Sequence, residues 1–284
     1  MNFTNKHKIP EHICKWLALD EYDYNPDVIS ATTLIAPARM WALKRKHAAE
    51  LAMDYSDMLA LRYGTAIHDS LEKAAAYGEN IIEERFYATK DGFSISGKMD
   101  GIIDGVIRDN KSTSVWKFVH QDYGDYIKQL SIYKWLLKKN GIETAAYGFI
   151  DFFFTDWKKS DAAKGRNYPP IRYQEVKLAL WSVEEAEAYI GGRLDEFVFA
   201  EEVLPDCSPE ELWQTETTYA YYAKVGGTKA TKVYQSEAEA QEAVKAGGEV
   251  KIRKGMAKRC AYCTAAPFCE QFNKLRTEGF VDAE

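Results

Sequence analysis

The chain has 284 residues, 46% of them apolar and 28% charged, with a formal net charge of −6. That composition supports a packed core and excludes wholesale disorder. No apolar run approaches the length of a membrane span, and the first ten residues lack the apolar stretch of a signal peptide. A cytoplasmic protein with reduced cysteines and no membrane partner is therefore expected.

In chain order, residues 11–19 have the periodicity of a short amphipathic helix. Ser30 opens a helix expected to run to about Asp54, with Pro37 near its start, and residues 57–77 form another, ended by Gly78. From Ile81 the pattern changes to β-prone runs, with Asp104-Gly105 between Met99–Ile103 and Val106–Arg108 as a hairpin signal. Residues 124–139 read as a helix closed by Asn140-Gly141. Ala145–Thr155 and Tyr168–Leu180 follow as strands. Ser182, with Glu185 at the capping-box position, begins a helix to about Ala200. Beyond Val203 the pattern loosens into a short helix over 236–246, a strand over Glu249–Arg253 and a cysteine-rich tail. The mixture predicts an α/β (α+β) fold: a central mixed β-sheet flanked by helices, with a cysteine-containing C-terminal lobe. The length suits one domain, made of N-terminal helices (1–80), a core (81–200) and the lobe (201–284).

The net charge argues against a uniformly basic nucleic-acid binder. The cations are clumped, however, at Arg39–His47, Lys158–Arg166, Lys224–Lys232 and Lys251–Arg259. A local basic stripe can track phosphates on an acidic protein; a solvated face is the other reading of each clump.

The hairpin carries the chemistry. A two-residue turn at Asp104-Gly105 pairs Ile103 with Val106 and, by continuation, sets Asp100 opposite Asp109, roughly 5 Å apart at Cβ on one face. Lys111, two residues beyond Asp109, points to that face as well. Like charges directly opposite destabilise a sheet, whereas a hard cation such as Mg²⁺ turns the pair into an oxygen ligand set. Such a metal activates water, and a neighbouring ammonium neutralises developing negative charge. An ordinary exposed hairpin with scattered charges is the structural alternative, and a one-residue slip would undo the juxtaposition.

Gly97-Lys98-Met99-Asp100 followed by Asp109-Asn110-Lys111-Ser112 resembles the central motifs of PD-(D/E)XK nucleases. Gly64-Thr65-Ala66-Ile67-His68 resembles the Gly-x-x-x-His element of the RecB-like (Cas4/AddB-type) branch. Gln129-Leu130-Ser131-Ile132-Tyr133 resembles its Gln-x-x-x-Tyr element, and Cys260-x2-Cys263-x5-Cys269 its C-terminal cysteines. Each motif alone is unspecific; five in the right order are strong. The resemblance covers roughly residues 30–155 and 250–275, and the pattern is similar to phage-type exonucleases that process DNA ends for recombination. It implies a restriction-endonuclease-like sheet and a metal-dependent DNA exonuclease using Mg²⁺ or Mn²⁺. It further implies DNA with free ends as substrate and a recombinase or single-strand annealing protein as partner. By this resemblance His68, Asp100 and Asp109 bind the metal, with the Asn110 backbone carbonyl as a further ligand. Lys111 serves the attacking water, and Gln129 and Tyr133 line the site and contact DNA or the lysine. Glu84 is a further candidate. A catalytically inactive DNA-end-binding scaffold and a restriction-type endonuclease are the alternatives. The intact Asp100, Asp109 and Lys111 speak against the first; the Gln-x-x-x-Tyr element and cysteine tail speak against the second.

Reduced thiols at the spacing of Cys260, Cys263 and Cys269 favour a metal or cluster over disulfides. In family members with a [4Fe–4S] cluster a fourth cysteine comes from an N-terminal segment, often before a proline. The matching segment here, Ser30 to Pro37, has Ala36 at that place. Cys14 and Cys207 are the two spare cysteines, and Cys14, ahead of that segment, is the candidate substitute. A [4Fe–4S] cluster, a structural zinc completed by a histidine, and three thiols that merely pack the lobe are all open. Trp213, Tyr219, Tyr221 and Tyr222 are candidates for base stacking or for lobe packing.

Overall fold

The computed structural model describes residues 2–19, 25–75, 81–165 and 167–281. The chain begins β1 (Asn2–Thr4), α1 (Glu11–Ala18), β2 (Val28–Ser30), α2 (Ala31–Leu34), α3 (Ala38–Lys46), β3 (Ala52–Asp54) and α4 (Tyr55–Ala75). It continues through β4 (Ile81–Lys90), β5 (Phe93–Ile103), β6 (Val106–Thr113), α5 (Val115–Val119), α6 (Gly124–Lys139), β7 (Tyr147–Phe154), α7 (Lys159–Ala162) and β8 (Tyr173–Ala179). It closes with α8 (Val183–Glu202), β9 (Thr218–Tyr222), β10 (Lys232–Tyr234), α9 (Glu237–Glu242), β11 (Glu249–Arg253) and α10 (Glu270–Thr277). Two compact units result: a larger one of residues 2–36 and 52–199, and a smaller one of 37–51 and 200–284. Among the described residues no helix is long and apolar enough to cross a membrane.

The larger unit is built on a six-stranded mixed sheet flanked by helices, in the order β2-β5-β6-β7-β8, with β4 paired along β5. β6 and β7 are parallel, joined by a crossover that contains α5 and α6. The predicted hairpin is present: Asp104 (φ 51°) and Gly105 (φ 74°) both take the left-handed conformation, which a type I′ turn requires at its two central residues. α6 runs through the core, with Leu130, Ile132, Trp135, Leu136 and Leu137 fully buried. Asn140 ends it and Gly141 (φ 79°) turns the chain, as expected. Ser182 and Glu185 form the predicted reciprocal cap at the start of α8, each side chain accepting the other's amide. Gly78 lies outside the described residues.

Two expectations are corrected. The helix predicted from Ser30 to Asp54 is broken into α2 and α3 and followed by β3. Ser30 does cap α2, its Oγ accepting from the Thr33 amide at 3.1 Å. Pro37, however, takes ψ 135° and lacks the N–H that a continuous helix needs. β3 then pairs in parallel with β1, and Asp54 at its end caps α4 by accepting from the Ser56 amide at 3.1 Å. The strand predicted from Tyr168 begins only at Tyr173, since Pro169 and Pro170 cannot donate to a ladder.

The smaller unit has a three-stranded antiparallel sheet in the order β10-β9-β11. Tyr221 and Tyr222 are buried in it, which is the packing role, while Arg259 lies 4.0 Å over the Trp213 ring. Leu43 of α3 packs with Leu51 and Ala265, against which Cys263, Phe268 and Cys269 are seated.

α6 rests directly on the backbone of β5. A Cβ on Gly97 would lie 2.7 Å from Tyr133 Cε1 and 2.8 Å from Leu136 Cδ1, closer than carbon atoms approach. Gly97→Ala is expected to destabilise the protein by about 1–3 kcal/mol through overpacking. Urea unfolding should show a lower midpoint at unchanged slope. An unchanged midpoint would mean that the Tyr133 ring steps aside freely.

Candidate active site

The site is assembled where α4, β4, β5, β6 and α6 meet in the larger unit. α4 approaches β6 closely because Gly64 has no side chain: a Cβ there would lie 3.2 Å from Ser112 Oγ. One turn later, on the same helical face, His68 reaches the sheet. Its Nδ1 is 3.4 Å from Asp100 Oδ1 and 3.5 Å from Glu83 Oε1. His68, Glu83 and Asp100 each present a ligand atom within 4.8 Å of the other two, the one such set of three among the described residues. Lys98 Nζ is paired with Glu83 Oε2 at 2.5 Å.

Glu83 was missed by the sequence reading, which named its neighbour Glu84. The reason is local. Ile82 pairs with Gly101 and Glu84 with Met99, but Glu83, with φ 50°, drops out of the ladder opposite Asp100. The strand therefore does not alternate regularly at this point, and nothing in the spacing signals it. β5 shows the same break. Gly97 faces α6, and so does Ile102, which pairs with Ile107 on the Asp109 side of β6; positions five apart share a face only if the alternation changes parity between them.

This corrects the expected face-to-face pairing of Asp100 and Asp109. The hairpin register is as predicted for Ile103–Val106, Ile102–Ile107 and Gly101–Arg108, but the ladder ends there. Instead, Asp100 Oδ2 accepts a hydrogen bond from the Asn110 amide at 2.6 Å. Asp109 is 1% exposed and faces α6. Its Oδ1 accepts from Gln129 Nε2 at 3.2 Å, and Lys111 Nζ lies 2.5 Å from its Oδ2. Apart from that ion pair, Oδ2 accepts no hydrogen bond. Gln129 Nε2 also donates to the Tyr133 hydroxyl at 2.8 Å. Gln129 and Tyr133 are both buried, so they brace Asp109 from behind and are not placed to touch a substrate.

The electrostatics follow from this packing. Hydrogen bonds to Asp100, and then to Glu83, push the His68 pKa up from 6.5 to about 10, against a smaller opposing effect of burial. Burial raises the Glu83 carboxyl, but hydrogen bonds from His68 and Lys98 outweigh it and hold the group below its ordinary value. Burial raises the Asp109 pKa, with Lys111 opposing. Burial likewise disfavours the Lys111 ammonium, but Asp109 and Asp100 more than offset it and the pKa is raised. Glu83, Asp100 and Asn110 line an open cleft of about 450 Å³ with Arg108, Asp151 and Tyr173. Arg108 is held there by a bidentate bond to Asp151 at 2.7 and 2.8 Å and by Glu175.

Cys260, Cys263 and Cys269 come together in the smaller unit, and Cys207 joins them around one pocket. Burial pushes the Cys207 thiol up to about 12 and the Cys260 thiol up to about 11. Cys14, the expected substitute ligand, belongs to the larger unit, where its thiol donates to the Ile9 carbonyl at 3.3 Å. Ala36 is also in that unit, its carbonyl accepting from Arg193 at 2.5 Å.

No protein-family model matches the sequence, and no curated protein matches it. Among solved structures the chain is similar to SSO0001, at TM-score 0.45 and 19% identity over 69% of this chain and 87% of that one. It is also similar to LHK-Exo, an alkaline exonuclease from Laribacter hongkongensis, at TM-score 0.34 and 12% identity over 63% of this chain and 91% of that one. The structure of LHK-Exo in complex with dAMP matches at TM-score 0.33 and 13% identity, over 62% and 90% of the two chains.

The raised His68 pKa has a consequence with a definite sign. A group whose pKa rises from 6.5 unfolded to about 10 folded contributes stability that is complete below pH 6.5 and is lost as pH rises through 10. In chelator, the Tm advantage of the wild type over His68→Gln should therefore be largest near pH 6.5 and shrink toward pH 10. A difference that stays constant across this range would mean that the imidazole is not charged in the metal-free protein.

Proposed function

We propose that this protein is a metal-dependent deoxyribonuclease that hydrolyses phosphodiester bonds at DNA ends. The observation that carries the reading is the convergence of His68, Glu83 and Asp100 beside the buried Asp109–Lys111 pair. Three ligand atoms of this kind suit a hard divalent cation, Mg²⁺ or Mn²⁺, which takes one or two carboxylates and leaves positions for water and phosphate. The fit is supported by the donor set itself: one imidazole and two carboxylates, each with a ligand atom within 4.8 Å of the other two, open to the cleft that Glu83 and Asp100 line. His68, Glu83 and Asp100 would hold the ion, with Asp109 and the Asn110 carbonyl as further ligands. Bound there, it supplies Lewis-acid stabilisation of charge on a phosphoryl oxygen.

The protein's own groups do the rest. Lys111, kept cationic by Asp109 and Asp100, faces the negative charge that grows on the phosphate and orients the attacking water. Asp109 holds the Lys111 ammonium in place, and Gln129 and Tyr133 hold Asp109. Glu83, Asp100 and Asn110 open to the cleft through which a phosphodiester reaches them. The order of the five motifs supports the RecB-like branch, action on free ends, and a place in recombination or repair beside a strand-annealing partner.

The test compares linear duplex, linear single-stranded and circular DNA with Mg²⁺, Mn²⁺ or EDTA. Degradation of linear DNA alone, abolished by EDTA, is the expected result. Lys111→Ala should lower the rate by about 10²–10³-fold, the usual loss when one charge-stabilising donor is removed. Because it also strands the Asp109 charge, at a cost of about 3–5 kcal/mol, the variant is assayed well below its own Tm. Binding without cleavage under every condition would point to a DNA-end scaffold, and cutting of circular duplex at fixed positions to a restriction-type enzyme.

The choice between adjacent glutamates gives a separate test. Glu83→Gln should raise the Mg²⁺ concentration needed for half-maximal activity at least tenfold, with partial recovery at high Mn²⁺, while Glu84→Gln leaves it unchanged. Equal effects of the two would remove Glu83 from the ligand set.

A further inference from the structure

Four of the five cysteines, all free thiols, surround one pocket in the smaller unit. Cys260, Cys263 and Cys269 arrive together in sequence; Cys207 arrives from a distant segment. Two sets of hydrogen bonds bring it in. The Arg39 guanidinium, 6% exposed, donates to Cys269 Sγ at 3.2 Å and also to the carbonyls of Leu204 and Pro205 and to Asp206 Oδ1, each at 3.2 Å. It thereby fastens the segment just before Cys207 to Cys269. The Gln271 side chain then grips the Cys207 backbone from both sides, accepting from its amide and donating to its carbonyl at 2.8 Å each. Gln271 lies in the first turn of α10, whose N-cap is Cys269. A loop residue held this firmly beside a second cysteine is a built arrangement.

We infer that Cys207 is the fourth thiolate of a [4Fe–4S] cluster site whose other ligands are Cys260, Cys263 and Cys269. Iron–sulfur clusters are held by four thiolates, and Cys207 meets the need that Ala36 leaves open. The donors around the pocket are four thiols with no histidine or carboxylate among the lining residues, which is the ligand set such a cluster takes. The charge also fits. A cluster with four thiolates is anionic, and Arg39 and Arg259 line the same pocket. His47 does not offer itself as a zinc ligand: its ring stacks on Phe268 at 4.2 Å and its Nδ1 is paired with Glu50 at 2.8 Å. The inference does not rest on the nuclease reading, because none of its ligands belongs to the metal set of the larger unit.

The test reads metal, not cleavage. Full-length wild type, Cys207→Ser and Cys14→Ser are purified anaerobically, reconstituted with ferrous iron and sulfide, and analysed for iron, acid-labile sulfide, zinc and visible absorbance. The expected result is about four irons and four sulfides per wild-type chain, with absorbance near ~400 nm. Cys14→Ser should keep them. Cys207→Ser should lose most of the iron or retain a three-iron cluster visible by electron paramagnetic resonance. Alkylation of the wild type followed by peptide mass spectrometry gives a second reading that does not depend on the folding of Cys207→Ser. Cys207 should be protected together with Cys260, Cys263 and Cys269, and all four should become reactive when iron is chelated. A full cluster in Cys207→Ser, a Cys207 that alkylates while the cluster is intact, a single zinc per chain, or a wild type that takes up no iron would each overturn the assignment.

Discussion

A carboxylate buried almost completely on a central strand sets the terms for everything around it. Asp109 has Ile107 as its neighbour on the same face of β6 and the apolar side of α6 above it. An ion in such a place costs several kcal/mol unless a counter-charge and hydrogen bonds answer it. Lys111 supplies the counter-charge and Gln129 one hydrogen bond. Each answer makes a further demand. Gln129 must sit on α6 at the level of Asp109, and Tyr133, one turn later, fixes its amide. The Tyr133 ring must then lie flat on β5, which only Gly97 permits. Gly97 is thus the far end of a chain of contacts that begins at a buried charge.

The second layer of charge works differently. His68, Glu83 and Asp100 are half-buried and close together, and the two carboxylates favour the protonated imidazole of His68. The backbone is distorted at the same spot. A non-glycine residue in the left-handed region costs of order 1–3 kcal/mol and persists only where the surroundings hold it there; Glu83, at φ 50°, is held by His68 and Lys98. Strain of this kind concentrates at functional sites, which is an argument for Glu83 independent of its distance from the other two.

Much of this was legible in the sequence because it depends on local rules. Asp104-Gly105 announced a turn whose two positive φ angles the structure has. Asn140-Gly141 ended a helix, and Ser182 with Glu185 began one. What escaped depends on departures from regularity or on distant partners. Pro37 broke a helix whose apolar period continues across it. Extending the hairpin ladder one pair too far put Asp100 opposite Asp109, because strict alternation was assumed where β5 changes parity. The same assumption hid Glu83. Cys207 carried no local signal at all: only the Arg39 and Gln271 contacts, made across long stretches of chain, show where it goes.

The cations tell the same story about what a sequence average hides. Read as a clump, Arg39–His47 is either a stripe for tracking phosphates or a solvated face. In the structure Arg39 is an interior residue tied to Cys269 and to the Leu204 and Pro205 carbonyls, and Arg45 is paired with Glu201. Arg108, at the cleft, is engaged by two carboxylates, and Arg193 by the Leu34 and Ala36 carbonyls. These guanidiniums hold the protein together. The lysines at 158, 159, 164, 224, 229 and 232 are instead exposed. An ammonium on a flexible stem at the surface gives up little on meeting a phosphate, whereas a guanidinium already bound to carboxylates must first lose them. The arginines at 39, 45, 108 and 193 are thus committed to the fold, and a phosphate contact by this acidic protein would draw on exposed cations outside that set, these lysines among them.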